Sequence, residues 1–169
     1  VGVFDTSYVD ISIAYSTFEE ALCFLKDLAE LARLETQTIF MFKPSKGDDY
    51  FVDENSAWAT PLKGSEIVRA RETLSQLTNV IFLEDSFDPA TVIAVSDVVL
   101  TNCFSSPTAD ALASGIPACW YQAKTDVGAY PLANIDGLVA QGFAELKESF
   151  YRCLSGEQLD LLYSQQSFK

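Results

Sequence analysis

The 169-residue chain contains no histidine. That absence excludes imidazole acid–base catalysis, the usual histidine zinc sites and any complete Ser-His-Asp triad within the chain. Positive charge is scarce: 11 Lys and Arg face 24 Asp and Glu, for a net charge of −13. The cations never sit side by side, so there is no basic face for nucleic acid or for an anionic membrane. A small phosphate ligand is still allowed, because a few local cations and amides hold one. No apolar stretch approaches the roughly 20 residues of a membrane span. The phosphate-loop signatures G-x-G-x-x-G and G-x-x-x-x-G-K-[ST] are also missing. Cys23, Cys103, Cys119 and Cys153 are widely spaced, without a C-x-x-C pair. In their apolar contexts they read as reduced core thiols of a cytosolic protein.

What is present is the composition of a folded globular domain, 49% hydrophobic and 21% charged. The length suits one domain with a substantial core. The chain opens on "VGVFDTSY", with neither an initiator Met nor a signal-peptide pattern. The expectation is a single domain over residues 1–169, cut from a larger protein that holds the rest of any active site.

Strand and helix patterns alternate. Residues 1–6 read as a strand. A helix follows, capped by Ser16 with Glu19 returning the bond, and its apolar face comprises Ala21, Leu22, Leu25, Leu28, Ala29, Leu31 and Ala32. "TQTIFMFKP" is a second strand stopped by Pro44, and residues 45–63 form a long polar loop. A helix over Gly64–Leu77 leads to the strand "NVIFLED". Asp88 and Pro89 then start a short helix that ends near Val95. "VVLTNC" and "IPACWY" are strands flanking a helix from Pro107 to Ser114, which Gly115 ends. An irregular stretch, residues 122–140, precedes a last helix from Gly142 to Leu154. Strands apolar on both faces, alternating with helices, predict an α/β fold: a parallel sheet with helices on both faces.

Ligands of such sheets lie beyond the carboxyl ends of the strands. Those ends are Asp5–Tyr8, Lys43–Lys46, Glu84–Ser86, Asn102–Thr108 and Gln122–Asp126. Ser105, Ser106 and Thr108 cluster where a strand stops and a helix begins. Unpaired amides and the helix dipole favour an anion there, although one hydroxyl would suffice as a cap. Lys43 and Lys46 stand on the same rim and could neutralise a phosphate. Glu84 and Asp85 could accept hydrogen bonds from ribose hydroxyls, while Asp88 caps its helix. Asp5 and Asp10 are a weak metal signal and read better as structural. Trp120 reads as core; Trp58, beside Tyr50 and Phe51, is loop packing or a lip over a ligand.

The segment "SDVVLTNCFSSPTADALASGIPACWY" resembles the carboxyl-terminal domain of GT-B-type bacterial glycosyltransferases of surface polysaccharides. It is most similar to those using CMP-activated sugars, the Kdo and sialic acid type. "VGVFDTS", "FKPSK", "LED" and "FSSPT" follow the same order over about 120 residues. The resemblance implies a Rossmann-like domain, one half of a GT-B fold, that binds a nucleotide-sugar donor as substrate and needs no cofactor or metal. Ser105 and Ser106 match the family's phosphate-binding Ser-Ser pair. Lys43-Pro44 occupies the place of its His-Pro pair, and this lysine cannot shuttle a proton at neutral pH as histidine does. The resemblance places the catalytic base and the glycan-acceptor site in an amino-terminal domain outside this chain. It implies a cytoplasmic location, peripheral at the inner membrane through other parts of the protein, with no nucleic-acid partner and no membrane span of its own. The rival readings are a CDP-glycerol-type phosphotransferase domain, with chemistry at phosphorus, and a non-catalytic Rossmann-like scaffold.

Overall fold

The computed structural model describes residues 1–6, 17–52, 61–102, 104–123 and 135–165. Within them, six strands form one sheet: β1 (Gly2–Phe4), β2 (Phe40–Lys43), β3 (Val80–Phe82), β4 (Val99–Asn102), β5 (Ala118–Gln122) and β6 (Val139–Gln141). The helices are α1 (Phe18–Leu34), α2 (Asp49–Val52), α3 (Pro61–Ser75), α4 (Pro89–Ala94), α5 (Ser106–Ala113), α6 (Gly142–Ser155) and α7 (Glu157–Gln165). Every strand pair is parallel, and the order is β3-β2-β1-β4-β5-β6. The chain therefore winds outward from β1 to β3, returns beside β1 with β4, and winds outward the other way. This is the parallel sheet the alternation predicts and the Rossmann-like fold the resemblance implies, and its direction of winding reverses between β1 and β4.

Period-two alternation sorts side chains onto two faces. Val3, Phe40, Phe42, Leu100, Cys119 and Tyr121 pack against the apolar faces of α1, α3 and α6. Phe4, Val99 and Ala118 meet Val92 and Ile93 of α4 and Ala111 of α5 on the other face. Trp120 joins Leu138, Phe104, Leu112 and Leu162 in a third cluster. Trp120 is thus core, as expected, and Cys119 and Cys153 are buried free thiols, with Cys23 free and half-buried.

The element boundaries show where local pattern was overruled. The cap of α1 is Thr17, which accepts from the Glu20 amide at 3.2 Å, one residue after the expected Ser16–Glu19 pairing. Asp88 caps α4 as expected, accepting from the amides of Ala90 at 3.3 Å and Thr91 at 3.1 Å. Helix α3 begins at Pro61 rather than Gly64, because proline suits a first helical position. Part of the expected loop is helical: α2 buries Phe51 against α3, with the Arg71 guanidinium 4.6 Å from its ring centre. The packing is close enough that a Cβ on Gly64 would lie 1.8 Å from the Phe51 carbonyl oxygen.

Strand β6 and helix α7 escaped the sequence reading. Three residues of strand carry too little period to be seen, and β6 is held by pairing with β5. Gln158 of α7 adds a tertiary clasp, its buried amide accepting from Ala118 N at 3.2 Å and donating to the carbonyls of Ala118 and Gly137. Ser16, Asp10, Trp58 and Cys103 lie outside the described residues.

Candidate functional site

At the carboxyl edge of the sheet, where the winding reverses between β1 and β4, lies a hollow of about 290 Å³. Its walls come from the end of β1 (Phe4, Asp5, Thr6), the end of β2 (Lys43, Ser45), and the starts of α4 (Pro89) and α5 (Ser105, Ser106, Pro107). Ligands of open α/β sheets sit at this kind of reversal. Three of the four residues expected at a phosphate, Lys43, Ser105 and Ser106, therefore line one hollow.

Lys43 is only 8% exposed. Its Nζ donates to the Asp85 carbonyl at 2.8 Å and the Pro44 carbonyl at 3.0 Å. An ammonium has three N–H donors, so two backbone bonds aim the charge and leave one donor for the hollow. Two backbone carbonyl partners fix this buried lysine in place, unlike a solvated surface lysine.

The start of α5 is open. Ser105 holds the N-cap position, yet makes no side-chain capping bond. Its hydroxyl donates instead to the Asn102 carbonyl at 3.0 Å. Ser106 is exposed, and within the described residues no hydrogen bond takes its hydroxyl. Pro107 has no N–H, so the uncapped donors of the first turn are the amides of Ser106 and Thr108. The simple capping account of these hydroxyls therefore fails. Thr108 differs from its neighbours: it is fully buried, with its hydroxyl 2.6 Å from that of Thr101 on β4. Its side chain ties α5 to the sheet and does not line the hollow.

The turn into α5 is unusual. Phe104 has φ +57°, the left-handed region that few non-glycine residues occupy. Its ring packs on Trp120 with centres 5.6 Å apart, and the Trp120 indole donates to the Ser105 carbonyl at 2.9 Å. Backbone strain of this kind concentrates at functional sites and persists where surrounding contacts over-determine it. Here Trp120 supplies those contacts.

Asp5 is structural, as expected. Its carboxylate accepts from the Ser45 amide at 2.5 Å and pairs with Arg71 Nη2 at 2.5 Å. Arg71 Nη1 reaches the Lys46 carbonyl at 3.0 Å and Asp48 at 2.6 Å. One buried guanidinium thus ties β1 to the segment after β2. Sequence reasoning missed Arg71 and singled out no role for Ser45. A lone Arg inside a helical pattern carries no signal of its partner 66 positions away.

Glu84 and Asp85 lie exposed beyond β3 and outside the hollow. Asp85 adjoins it through the Lys43 bond, and its carboxylate accepts from the Gly47 amide at 3.1 Å. Glu84 accepts from the Ser86 hydroxyl at 3.3 Å. A larger groove of about 700 Å³ runs between α1 and α3, lined by charges of both signs such as Lys26, Asp27, Glu30 and Arg69. It follows the helix flanks and touches none of the strand ends, so its size does not make it the candidate site.

The model of the family described as "Polysaccharide biosynthesis PFTS motif protein" matches residues 1–150. The chain belongs to this family. No curated protein matches it in sequence. Among solved structures, the family member is similar to a UDP-GlcNAc 2-epimerase from Neisseria meningitidis bound to UDP-GlcNAc. That likeness has a TM-score of 0.58 and 16% identity over 95% of this chain and 38% of that one. It is also similar to an alpha,alpha-trehalose-phosphate synthase (UDP-forming) from Burkholderia vietnamiensis, with TM-score 0.58 and 12% identity over 97% of this chain and 40% of that one. At these identities the likeness is one of fold, and the chain spans about two-fifths of each structure's length. Among the described residues, no helix of this family member is long and apolar enough to cross a membrane.

Proposed function

We propose that this domain binds the nucleotide portion of a nucleotide-sugar donor for a glycosyltransferase of bacterial surface polysaccharide synthesis. The observation that carries the reading is the hollow at the sheet's reversal, where a buried, backbone-aimed Lys43 faces the uncapped start of α5. The family's link to polysaccharide biosynthesis supports it. So does its PFTS motif: Cys103-Phe104-Ser105-Ser106 shares the Phe and the final Ser of those four letters. Of the two similar structures, one is bound to UDP-GlcNAc and the other is a UDP-forming synthase.

In this reading the donor phosphate lies against Lys43, Ser105, Ser106 and the amides of Ser106 and Thr108, with the Thr108 side chain bracing the helix. Glu84 and Asp85 on the adjoining rim receive the ribose. Lys43 stabilises the charge that develops on the phosphate as the sugar leaves. The base that activates the acceptor lies elsewhere in the whole protein. Among the described residues that line the hollow Lys43 is the single cation, and its one positive charge suits the single negative charge of a phosphodiester, as in a CMP-linked donor. A UDP-linked donor is the second reading, favoured by the UDP-GlcNAc-bound and UDP-forming enzymes among the similar structures. A CDP-glycerol-type transfer would use the same phosphate site, with chemistry at phosphorus.

Calorimetric titration with CMP, CDP, UDP, GDP and ADP tests this. Selective CMP binding that is lost in Ser105→Ala/Ser106→Ala supports the proposal. Preference for a diphosphate moves the assignment to the second reading. CMP binding that survives the double substitution, or no binding of any of the five, overturns the assigned site and leaves a scaffold role.

A further inference from the structure

We infer that Ser45 is a further ligand of the donor phosphate, reaching it from the β2 side of the hollow opposite Ser105 and Ser106; this rests on the phosphate reading above. Ser45 lines the hollow, and among the described residues its buried hydroxyl oxygen has no hydrogen-bond partner. Buried polar atoms in native proteins are nearly always paired, and each exception calls for an explanation. Leaving one unpaired is costly, a cost that a bound ligand removes.

The surroundings of Ser45 hold its backbone and leave its side chain uncommitted. Its amide donates to Asp5 at 2.5 Å, and Asp5 is itself fixed by Arg71, which also holds the next carbonyl along, that of Lys46. A serine side chain has three staggered positions and a rotating proton. Oγ can therefore turn toward a ligand in the hollow while the backbone stays in place. Asp5 lines the same hollow, but each of its oxygens already accepts a bond, one from Ser45 and one from Arg71. The groups that can meet an anion include the Ser45 hydroxyl, the remaining Lys43 proton, the α5 start and Thr6, which lines the same hollow. They stand on two sides of one space, the arrangement that orients a tetrahedral phosphate.

The test compares the chain with Ser45→Ala and Ser106→Ala, titrated with CMP and separately with inorganic phosphate, alongside thermal melts without ligand. The expected result is roughly tenfold weaker CMP binding by Ser45→Ala, with the ligand-free melting temperature unchanged or raised because an unpaired hydroxyl has gone. A parallel loss for inorganic phosphate assigns the contact to the phosphate itself; a loss confined to CMP would place Ser45 at another part of the nucleotide and overturn the inference. Undiminished CMP binding by Ser45→Ala, with Ser106→Ala impaired, overturns the Ser45 assignment alone. No binding by the unsubstituted chain overturns the parent reading, and this one with it.

Discussion

The indole N–H of Trp120, on β5, donates to the carbonyl oxygen of Ser105 at 2.9 Å. A core residue of one strand thereby holds the turn that opens α5, and it does so beside Phe104, the residue in the left-handed conformation. Trp120→Phe keeps much of the apolar contact and removes the donor. The expected outcome is a loss of about 1 kcal/mol in urea unfolding, with weaker CMP binding because the α5 start is less well held. Unchanged stability and binding would show that the turn is set without the indole.

Arg71 and Asp5 form a buried ion pair, with side chains 3% and 0% exposed. Arg71→Met leaves the Asp5 carboxylate buried without its counter-charge, and removing one partner of such a pair costs about 3–5 kcal/mol. Chemical denaturation should show a drop of that order. Arg71→Met/Asp5→Leu, which removes both charges, should recover much of it. A loss below about 1 kcal/mol for the single substitution would mean that water reaches Asp5 as soon as the guanidinium leaves.

Gly64 sits in α3 against the backbone of Phe51. Alanine is the better helix former by about 1 kcal/mol, but its Cβ would lie 1.8 Å from a carbonyl oxygen. Overpacking should win, so Gly64→Ala is expected to lower the melting temperature by several degrees. A rise would mean that α2 shifts away from α3 at no cost.

Asp88 is held below the usual carboxylate range by the Thr91 hydroxyl and then by the Ala90 amide, with the Thr91 amide a smaller contributor. Its folded pKa is depressed, so its stabilising effect is present above the unfolded value of about 4. That effect is lost as pH falls through the folded pKa. Asp88→Ala should accordingly melt at a lower temperature than the parent chain at pH 7, and the gap should narrow in acid. A gap that is constant with pH would assign the effect to something other than the carboxylate.

Much of the architecture follows from local chemistry. Short runs apolar on both faces, such as Val98-Val99-Leu100, mark buried parallel strands whatever surrounds them. Asp88-Pro89 starts a helix because one residue caps and the next has no N–H to lose. The same reasoning places Lys43, Ser105 and Ser106 at strand ends, and so on one rim. Short elements are less legible: β6 exists because β5 offers it hydrogen bonds, and α2 because Phe51 finds a buried place against α3 and Arg71.

The sequence by itself determined an α/β chain with Lys43, Ser105 and Ser106 at strand ends on one rim, because periodicity, capping and strand termination are set by residues within a turn or two of one another. Only the tertiary structure decided that β4 returns beside β1, which puts Lys43 and the α5 start on one hollow. It also decided that Thr108 turns inward to Thr101 while Ser106 stays open, and that Arg71 reaches Asp5 to secure Ser45. Those outcomes depend on contacts between segments far apart in the chain, where the energy of burying one charge or hydroxyl is settled by a partner that local pattern does not reveal.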